Sequence, residues 1–106
     1  MISVNLFFDL DVGGKVIYCK KETAINFTPL LNMKYYDASL TEAFKLHEDC
    51  SVFYVSSIDW LCAEGKDFLA VGLGFVENLR SRIGGIDIDE IVRILRDHNW
   101  KAEVDS

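Results

Sequence analysis

Two stretches near the start of the chain have the residue pattern of β-strands, and a glycine-rich segment separates them. Residues 2–10 and 15–22 are rich in β-branched and aromatic side chains, and the segment between them reads DVGG. Gly13 and Gly14 can adopt the positive φ angles that a tight connection between antiparallel strands requires. The pattern therefore predicts a first β-hairpin.

A second hairpin is expected in the middle of the chain. The run CSVFYVSSIDWLC has no helical period, AEGKD has the composition of a turn, and DFLAVGLGFV then alternates large and small apolar residues. Apolar positions from Phe68 to Ile83 also fit a helical stripe, but Gly72 and Gly74 favour a strand that passes into helix at about Val76. We interpret the two glycines as close-packing positions in that strand.

Two capping patterns predict helices. Ser39 followed by Glu42 precedes an apolar stripe and predicts a helix of about ten residues that ends near Asp49. Asp87 with Glu90 precedes IVRILRDHNW, the clearest helical pattern in the chain. The core face of this second helix is expected to hold Ile88, Ile91, Val92, Leu95 and Trp100.

These elements follow one another in the order β-β-α-β-β-α, and WKAEV adds an optional short strand at the end. The segment TPLLNMKYY fits either a short helix opened by Pro29 or a strand. We therefore expect an α+β fold, a two-layer sandwich in which two or three helices pack on one face of a mainly antiparallel sheet built from two hairpins. The length of 106 residues predicts one globular domain, 1–106.

The net charge of the chain limits which class of macromolecule it is expected to bind. The chain has 17 acidic and 11 basic residues and a net charge of −6, which opposes direct contact with nucleic acid. The negative charge is concentrated in residues 37–67, where seven acids and two bases give a local net charge of −5. A macromolecular partner is therefore expected to be a basic protein.

Other sequence features bear on compartment and cofactor. No apolar run approaches the ~18 residues of a membrane span, and the N-terminus lacks the pattern of a secretory signal, so we expect a cytoplasmic protein without membrane contact. Cys19, Cys50 and Cys62 form no CxxC pair and are expected to be unpaired, core-facing thiols. No cofactor or metal motif is present, and we expect none to be bound.

One local string suggests catalysis. The strand end LFFDLDVGG resembles the first motif of haloacid-dehalogenase-type phosphatases. The resemblance implies a Mg²⁺ site at which Asp9 attacks a phosphoryl group and Asp11 transfers a proton, with Ser56 or Ser57 binding phosphate. The resemblance covers about nine residues, however, and a second strand begins shortly after Asp11, so a hairpin turn is the preferred interpretation of the two aspartates.

We therefore expect a non-enzymatic acidic protein that neutralises a basic protein partner, in the manner of an immunity protein or antitoxin that inhibits a nuclease-like toxin. The alternatives are a small Mg²⁺-dependent phosphatase-like enzyme that uses Asp9 and Asp11, and a regulatory subunit of a larger complex. Trp60 is expected to lie in the core, and the alternative is that it forms the apolar anchor of the interface; the oligomeric state stays open. The residues predicted to bind the partner are Glu48, Asp49, Asp59, Trp60 and Glu64.

Overall fold

The computed structural model describes residues 1–12, 14–45, 53–75 and 86–105. Within these ranges the chain forms six strands and two helices. In chain order they are β1 (Ile2–Val12), β2 (Lys15–Ile25), β3 (Lys34–Tyr35), α1 (Ala38–Ala43), β4 (Phe53–Ala63), β5 (Lys66–Phe75), α2 (Ile88–Asp97) and β6 (Lys101–Asp105).

The six strands form one sheet in the order β3-β4-β5-β1-β2-β6. Both predicted hairpins, β1–β2 and β4–β5, are confirmed, and so is the optional last strand, which pairs with β2. The central pairing of β1 with β5 is parallel and joins the two hairpins into a single mixed sheet.

Each hairpin closes with a two-residue connection. In the first, Val12 pairs with Lys15, Gly14 has a φ of +84°, and the N–H of Gly14 donates to the Asp11 carboxylate at 3.2 Å. In the second, Glu64 and Gly65 have φ angles of 53° and 77°, both in the left-handed region. Positive φ at both turn positions matches the right-handed twist of the flanking strands, as a tight two-residue hairpin connection requires.

The prediction of a two-layer sandwich is wrong, because the chain is mainly a curled, mixed sheet. The hairpin strands have 10 or 11 residues, which corresponds to about 33 to 36 Å of extended chain. The helices have six and ten residues, equivalent to about 9 and 15 Å of helix. Helices this short cover only part of the sheet, and the strands continue beyond them.

The core lies between the helices and one face of the sheet, which we call the inner face. An aromatic cluster occupies its centre: the ring centroids of Phe8 and Phe53 are 5.2 Å apart, and those of Phe8 and Trp100 are 5.3 Å apart. Phe44 packs against both phenylalanines at 6.0 and 6.4 Å. These contacts join β1, β4, the end of α1 and the chain after α2 into one core.

Helix α1 begins differently from the prediction. Asp37, not Ser39, is the N-cap residue, and its carboxylate accepts the backbone N–H of Ser39 at 2.9 Å. Ser39 is instead buried in the first turn, where its hydroxyl accepts the indole N–H of Trp100 at 2.9 Å. The helix ends at Ala43, earlier than expected, and Asp49, the predicted end, lies outside the described residues.

Helix α2 agrees more closely with the prediction. Its N-cap is Asp87, whose carboxylate accepts the N–H of Asp89 at 3.0 Å. The expected core residues are buried except Ile88, which is half-buried, and Ile94 is buried as well. Four adjacent buried positions, Ile91, Val92, Ile94 and Leu95, give α2 a wider apolar face than the sequence pattern predicted.

Two further predictions are settled by burial and backbone geometry. The segment TPLLNMKYY is mostly irregular and contains the two-residue strand β3, so neither the helix nor the long strand forms. Cys19 is unpaired and buried, as expected, and burial raises the pKa of its thiol to about 12. Cys62 is unpaired but exposed, which corrects its predicted core position, and Cys50 lies outside the described residues.

Candidate functional site

The β4–β5 hairpin changes character along its length. Near the helices, Phe53 and Val55 of β4 and Leu73 of β5 are buried in the core. At the other end, every residue from Asp59 to Asp67 is exposed. We call residues 59–67 the hairpin tip. The tip extends beyond the core, and its side chains are accessible on both faces.

A β-bulge decides which face carries Trp60. The register between β4 and β5 shifts between Val55 and Ser57, so that one extra residue enters β4. In a regular strand Trp60, five residues after Val55, would lie on the opposite face, because side chains alternate; the bulge absorbs one residue and cancels that reversal. With it, Trp60 pairs with Leu69, and Leu69 lies beside the buried Val4. Trp60 therefore projects from the inner face.

Trp60 is the most exposed large aromatic side chain of the described residues, at 73 %. A shallow hollow of about 230 Å³ beside it is lined by Ile2, Phe68 and Leu69, together with Asp67. An indole with one apolar flank and open solvent above it leaves contact area for a partner. The expectation that Trp60 is a core residue is therefore wrong.

Three carboxylates surround this aromatic in the hairpin tip, against a single basic residue, Lys66. Asp59 lies on the outer face, where it pairs with Ala70, and Glu64 occupies the turn. Asp67 lies across from Cys62, and a hydrogen bond with Asp67 raises the pKa of the Cys62 thiol. The tip thus combines an apolar contact with negative charge on more than one side.

The structure brings together only part of the predicted binding surface. Asp59, Trp60 and Glu64 all lie in the hairpin tip, but Asp59 and Trp60 point to opposite faces of β4. Glu48 and Asp49 lie outside the described residues. Without the strand register, the sequence could not indicate that these two residues lie on opposite faces. A flat partner surface cannot contact both Asp59 and Trp60.

The backbone of the tip is also accessible along β4. Strand β3 covers only the start of β4: Lys34 and Tyr35 pair with it, and the N–H of Val55 donates to the carbonyl of Met33 at 2.8 Å. Beyond Val55, β5 is the only strand that pairs with β4 among the described residues. We call residues 57–63 the open edge.

A separate cavity of about 420 Å³ lies on the inner face between β2, β3, β4 and the irregular segment 26–33. Its walls are mainly apolar and include Val4, Ile25, Phe27, Met33 and Tyr35. The volume falls within the range of small-ligand sites and can accept an apolar ring or a partner side chain. Two of its lining residues, Phe27 and Tyr36, are also exposed to solvent, as are Leu30 and Leu31 of the irregular segment.

A polar cluster at the start of α1 holds neighbouring elements of the fold together. The Asp37 carboxylate accepts the hydroxyls of Ser39 and Tyr35, the latter at 2.7 Å, and the ammonium of Lys21 at 3.3 Å. Burial alone would raise the pKa of Asp37, but the hydrogen bonds from Ser39 and Tyr35 and the charge of Lys21 lower it below its usual value. With four donors, counting the backbone N–H of Ser39, this carboxylate is engaged in holding β2, β3 and α1 together.

Asp9 and Asp11, the candidate catalytic pair, lie in the first hairpin. β1 continues directly into β2, and Asp11 accepts the turn N–H of Gly14, as a turn residue does. Asp9 lines an outer-face groove of about 490 Å³ with Tyr18 and Lys20. Within the described ranges, no group of three or more His, Cys, Asp or Glu side chains is arranged to hold a metal ion. The geometry gives no support to phosphoryl transfer at this pair.

No protein-family model, curated protein or solved structure matches this chain. Among the described residues, neither helix is long and apolar enough to cross a membrane. Any functional conclusion therefore depends on the geometry of the site itself.

Proposed function

We propose that this chain is a non-enzymatic binding protein that neutralises a basic protein partner, in the manner of an immunity protein or antitoxin, and that the hairpin tip is its binding surface. One observation carries the proposal: Trp60 is 73 % exposed in a tip that holds three carboxylates and one basic residue.

The two kinds of side chain have complementary roles. An exposed tryptophan gains more than most residues when a partner covers it, and tryptophan is enriched among the residues that dominate binding energy. Carboxylates around it accelerate encounter with a basic surface and disfavour acidic competitors. The apolar cavity on the inner face offers an additional receptor for a partner side chain. The same surface would serve a regulatory subunit that docks on a basic protein.

The proposal places the protein in a reducing compartment, the cytoplasm. Cys19 and Cys62 are unpaired, and the exposed Cys62 thiol would be open to oxidation in a secretory setting. Inhibition of a nuclease-like toxin requires contact with that toxin inside the producing cell. An acidic inhibitor suits this target because a nuclease must present positive charge to its own substrate.

The test is capture of the partner followed by a matched pair of charge reversals. Asp59→Lys/Glu64→Lys alters the hairpin tip, and Glu103→Lys/Asp105→Lys alters exposed acids of β6. Both variants change the net charge from −6 to −2. We expect the tip variant to weaken binding about tenfold or more and to flatten its salt dependence, while the β6 variant changes affinity about twofold or less.

Binding would be measured by titration calorimetry at two salt concentrations, with thermal melts as the control for folding. Equal losses in the two variants would show that only net charge matters and would contradict a site in the tip. Unchanged affinity in both would contradict the acidic surface altogether.

A further inference from the structure

The backbone geometry of β4 specifies how the partner would be held. We propose that the basic partner binds as an added β-strand, antiparallel to the open edge, through an extended segment in which basic and apolar residues alternate. This inference rests on the proposed function and identifies the chemistry of the partner at the same site.

The hydrogen-bonding groups at the edge follow from the turn. Ala63 and Lys66 flank a two-residue turn, so they exchange backbone hydrogen bonds with each other. Because alternate residues of an antiparallel strand direct their N–H and C=O groups to opposite sides, Leu61 and Asp59 also bond β5. The N–H and C=O groups of Ile58, Trp60 and Cys62 point to the open edge, where no strand pairs with them among the described residues.

The residues of the open edge do not protect it. Natural proteins block exposed edges with Lys, Pro or short strands. Residues 57–63 read SIDWLCA, which contains no Lys, Arg or Pro and a single charge, Asp59. An edge of seven residues with these side chains can accept another strand.

The opposed faces of Asp59 and Trp60 specify the side chains of that strand. In an antiparallel pair, directly opposite residues share a face. A partner residue opposite Trp60 lies on the inner face, with Trp60 between it and Leu69, and is expected to be apolar. A partner residue opposite Asp59 lies on the outer face and is expected to be basic. One added strand thus contacts both faces, which a flat surface cannot do.

Charge argues against a second copy of this chain as the occupant. Two chains of net charge −6 repel each other, and pairing of two open edges would bring two acidic hairpin tips together. A basic segment meets the same carboxylates favourably. The occupant is therefore expected to be a different protein.

The test uses the full chain and a synthetic peptide in which four lysines alternate with three valines, blocked at both ends. Two matched derivatives carry backbone N-methyl groups, one on the valines and one on three of the lysines. In the proposed register the valine backbone faces the open edge, so we expect valine methylation to weaken binding at least thirtyfold and lysine methylation to change it less than threefold.

Amide hydrogen exchange gives a second readout that binding through side chains would not produce. In the free protein, the amides of Ile58, Trp60 and Cys62 are expected to exchange rapidly, and those of Asp59 and Leu61 slowly. Saturation with the unmethylated peptide should slow the first three at least tenfold. Slow exchange of those three in the free protein would show that the edge is already covered and would overturn the inference.

Two variants of the protein test the same backbone hydrogen bonds without changing the peptide. Cys62→Pro removes an edge-facing N–H without removing a bond to β5, and Cys62→Ala retains that N–H. We expect the proline variant to bind the peptide at least tenfold more weakly than the alanine variant. Circular dichroism and thermal melts would verify that both are folded.

The outcomes separate this inference from the proposed function. If both methylated peptides bind as well as the parent while Asp59→Lys weakens binding, strand addition is wrong and the acidic binding surface stands. If the parent peptide fails to bind, the inference is overturned, and the charge-reversal experiment with the captured partner decides the proposed function independently. Dimerisation of the free chain through the same amides, detected by ultracentrifugation, would also overturn it.

Discussion

The two sides of the sheet, where β4 extends beyond β3 and where β6 forms the edge, differ in how they meet solvent. Strand β6 has five residues, and three of them, Lys101, Glu103 and Asp105, are charged and exposed. The open edge of β4 has seven residues with one charge, and it carries the exposed Trp60. Among the described residues, β6 pairs only with β2, whereas β4 pairs with β3 at its start and with β5 alone beyond Val55.

The difference teaches that one edge is protected and the other is accessible for binding. A short strand with alternating charges gives an approaching backbone little to pair with and requires desolvation of several charges. Beyond the point where β3 ends, the β4 edge is neither short nor rich in charged residues. Since the same fold protects its other edge, the exposed β4 edge supports the proposal that a partner binds there.

The largest effect is expected from releasing the short strand that covers the start of β4. Tyr35 of β3 donates to Asp37, so Asp37→Ala removes the N-cap of α1 together with the acceptor that holds β3. We expect a loss of about 3 kcal/mol of unfolding free energy and faster hydrogen exchange at Val55. Asp89→Ala, at an exposed helical position, is the control and should cost less than about 0.5 kcal/mol.

The same carboxylate gives a pH dependence. Because the pKa of Asp37 is lowered from 3.8 in the folded protein, its contribution to stability is complete above the unfolded pKa and is lost as the pH falls through the folded pKa. Wild type should therefore lose more stability than Asp37→Asn between about pH 5 and pH 2. Parallel denaturant titrations across that range would measure the difference, and identical slopes would contradict the prediction.

A smaller effect is expected from removing the aromatic of the open edge. Trp60→Ala should weaken partner binding by about 2 kcal/mol, or roughly thirtyfold, because a covered tryptophan loses its whole contact area. The unfolding free energy should change little, since Trp60 is exposed in the free protein. Tyr18→Ala, which removes a half-exposed aromatic from the outer face, is the matched control and should leave binding unchanged.

An effect of intermediate size is expected from a substitution at Gly72, which pairs with Ser57 next to the bulge that directs Trp60 to the inner face. A Cβ on Gly72 would overlap Ser57 Oγ and lie 3.2 Å from the ring of Phe7. We expect Gly72→Ala to cost about 1 kcal/mol, at the low end for overpacking because the Ser57 hydroxyl can rotate. The double variant Gly72→Ala/Ser57→Gly should recover part of the loss in chemical denaturation; no recovery would show that Ser57 is not the obstacle.

The smallest effect is expected from removing the protection of β6. Lys101→Val/Glu103→Val keeps the net charge at −6 while making the β6 edge resemble that of β4. Stability should change by only a few tenths of a kcal/mol, but weak, concentration-dependent association should appear in sedimentation velocity. If the variant stays as monodisperse as wild type, the charges of β6 are not what protects that edge.

Local signals in the sequence predicted the local structure well. The glycine-containing turns specified both hairpins, Asp87 specified the start of α2, and the close approach of Ser57 and Tyr54 confirms Gly72 and Gly74 as close-packing positions. Each of these depends on residues near in sequence or on a glycine that a side chain would obstruct.

The errors concern features set by distant partners. Ser39 resembled an N-cap, but its hydroxyl accepts the indole N–H of Trp100, and Asp37 caps the helix. The exposure of Trp60 depends on strand length relative to helix length, and its face depends on one bulge residue. The hairpin tip lies within the acidic segment 37–67, but the charge pattern could not show that Asp59 and Trp60 point in opposite directions.

The parallel pairing of β1 with β5 has a consequence for how the chain is made. Val4 lies beside Leu69, about 65 residues later, so the centre of the sheet cannot form until β5 has left the ribosome. At roughly 5–20 residues per second, one side of the first hairpin stays without its neighbour for about 3 to 13 seconds after β1 emerges. During synthesis, therefore, β1, which lies at the centre of the finished sheet, is temporarily the edge most open to incorrect pairing.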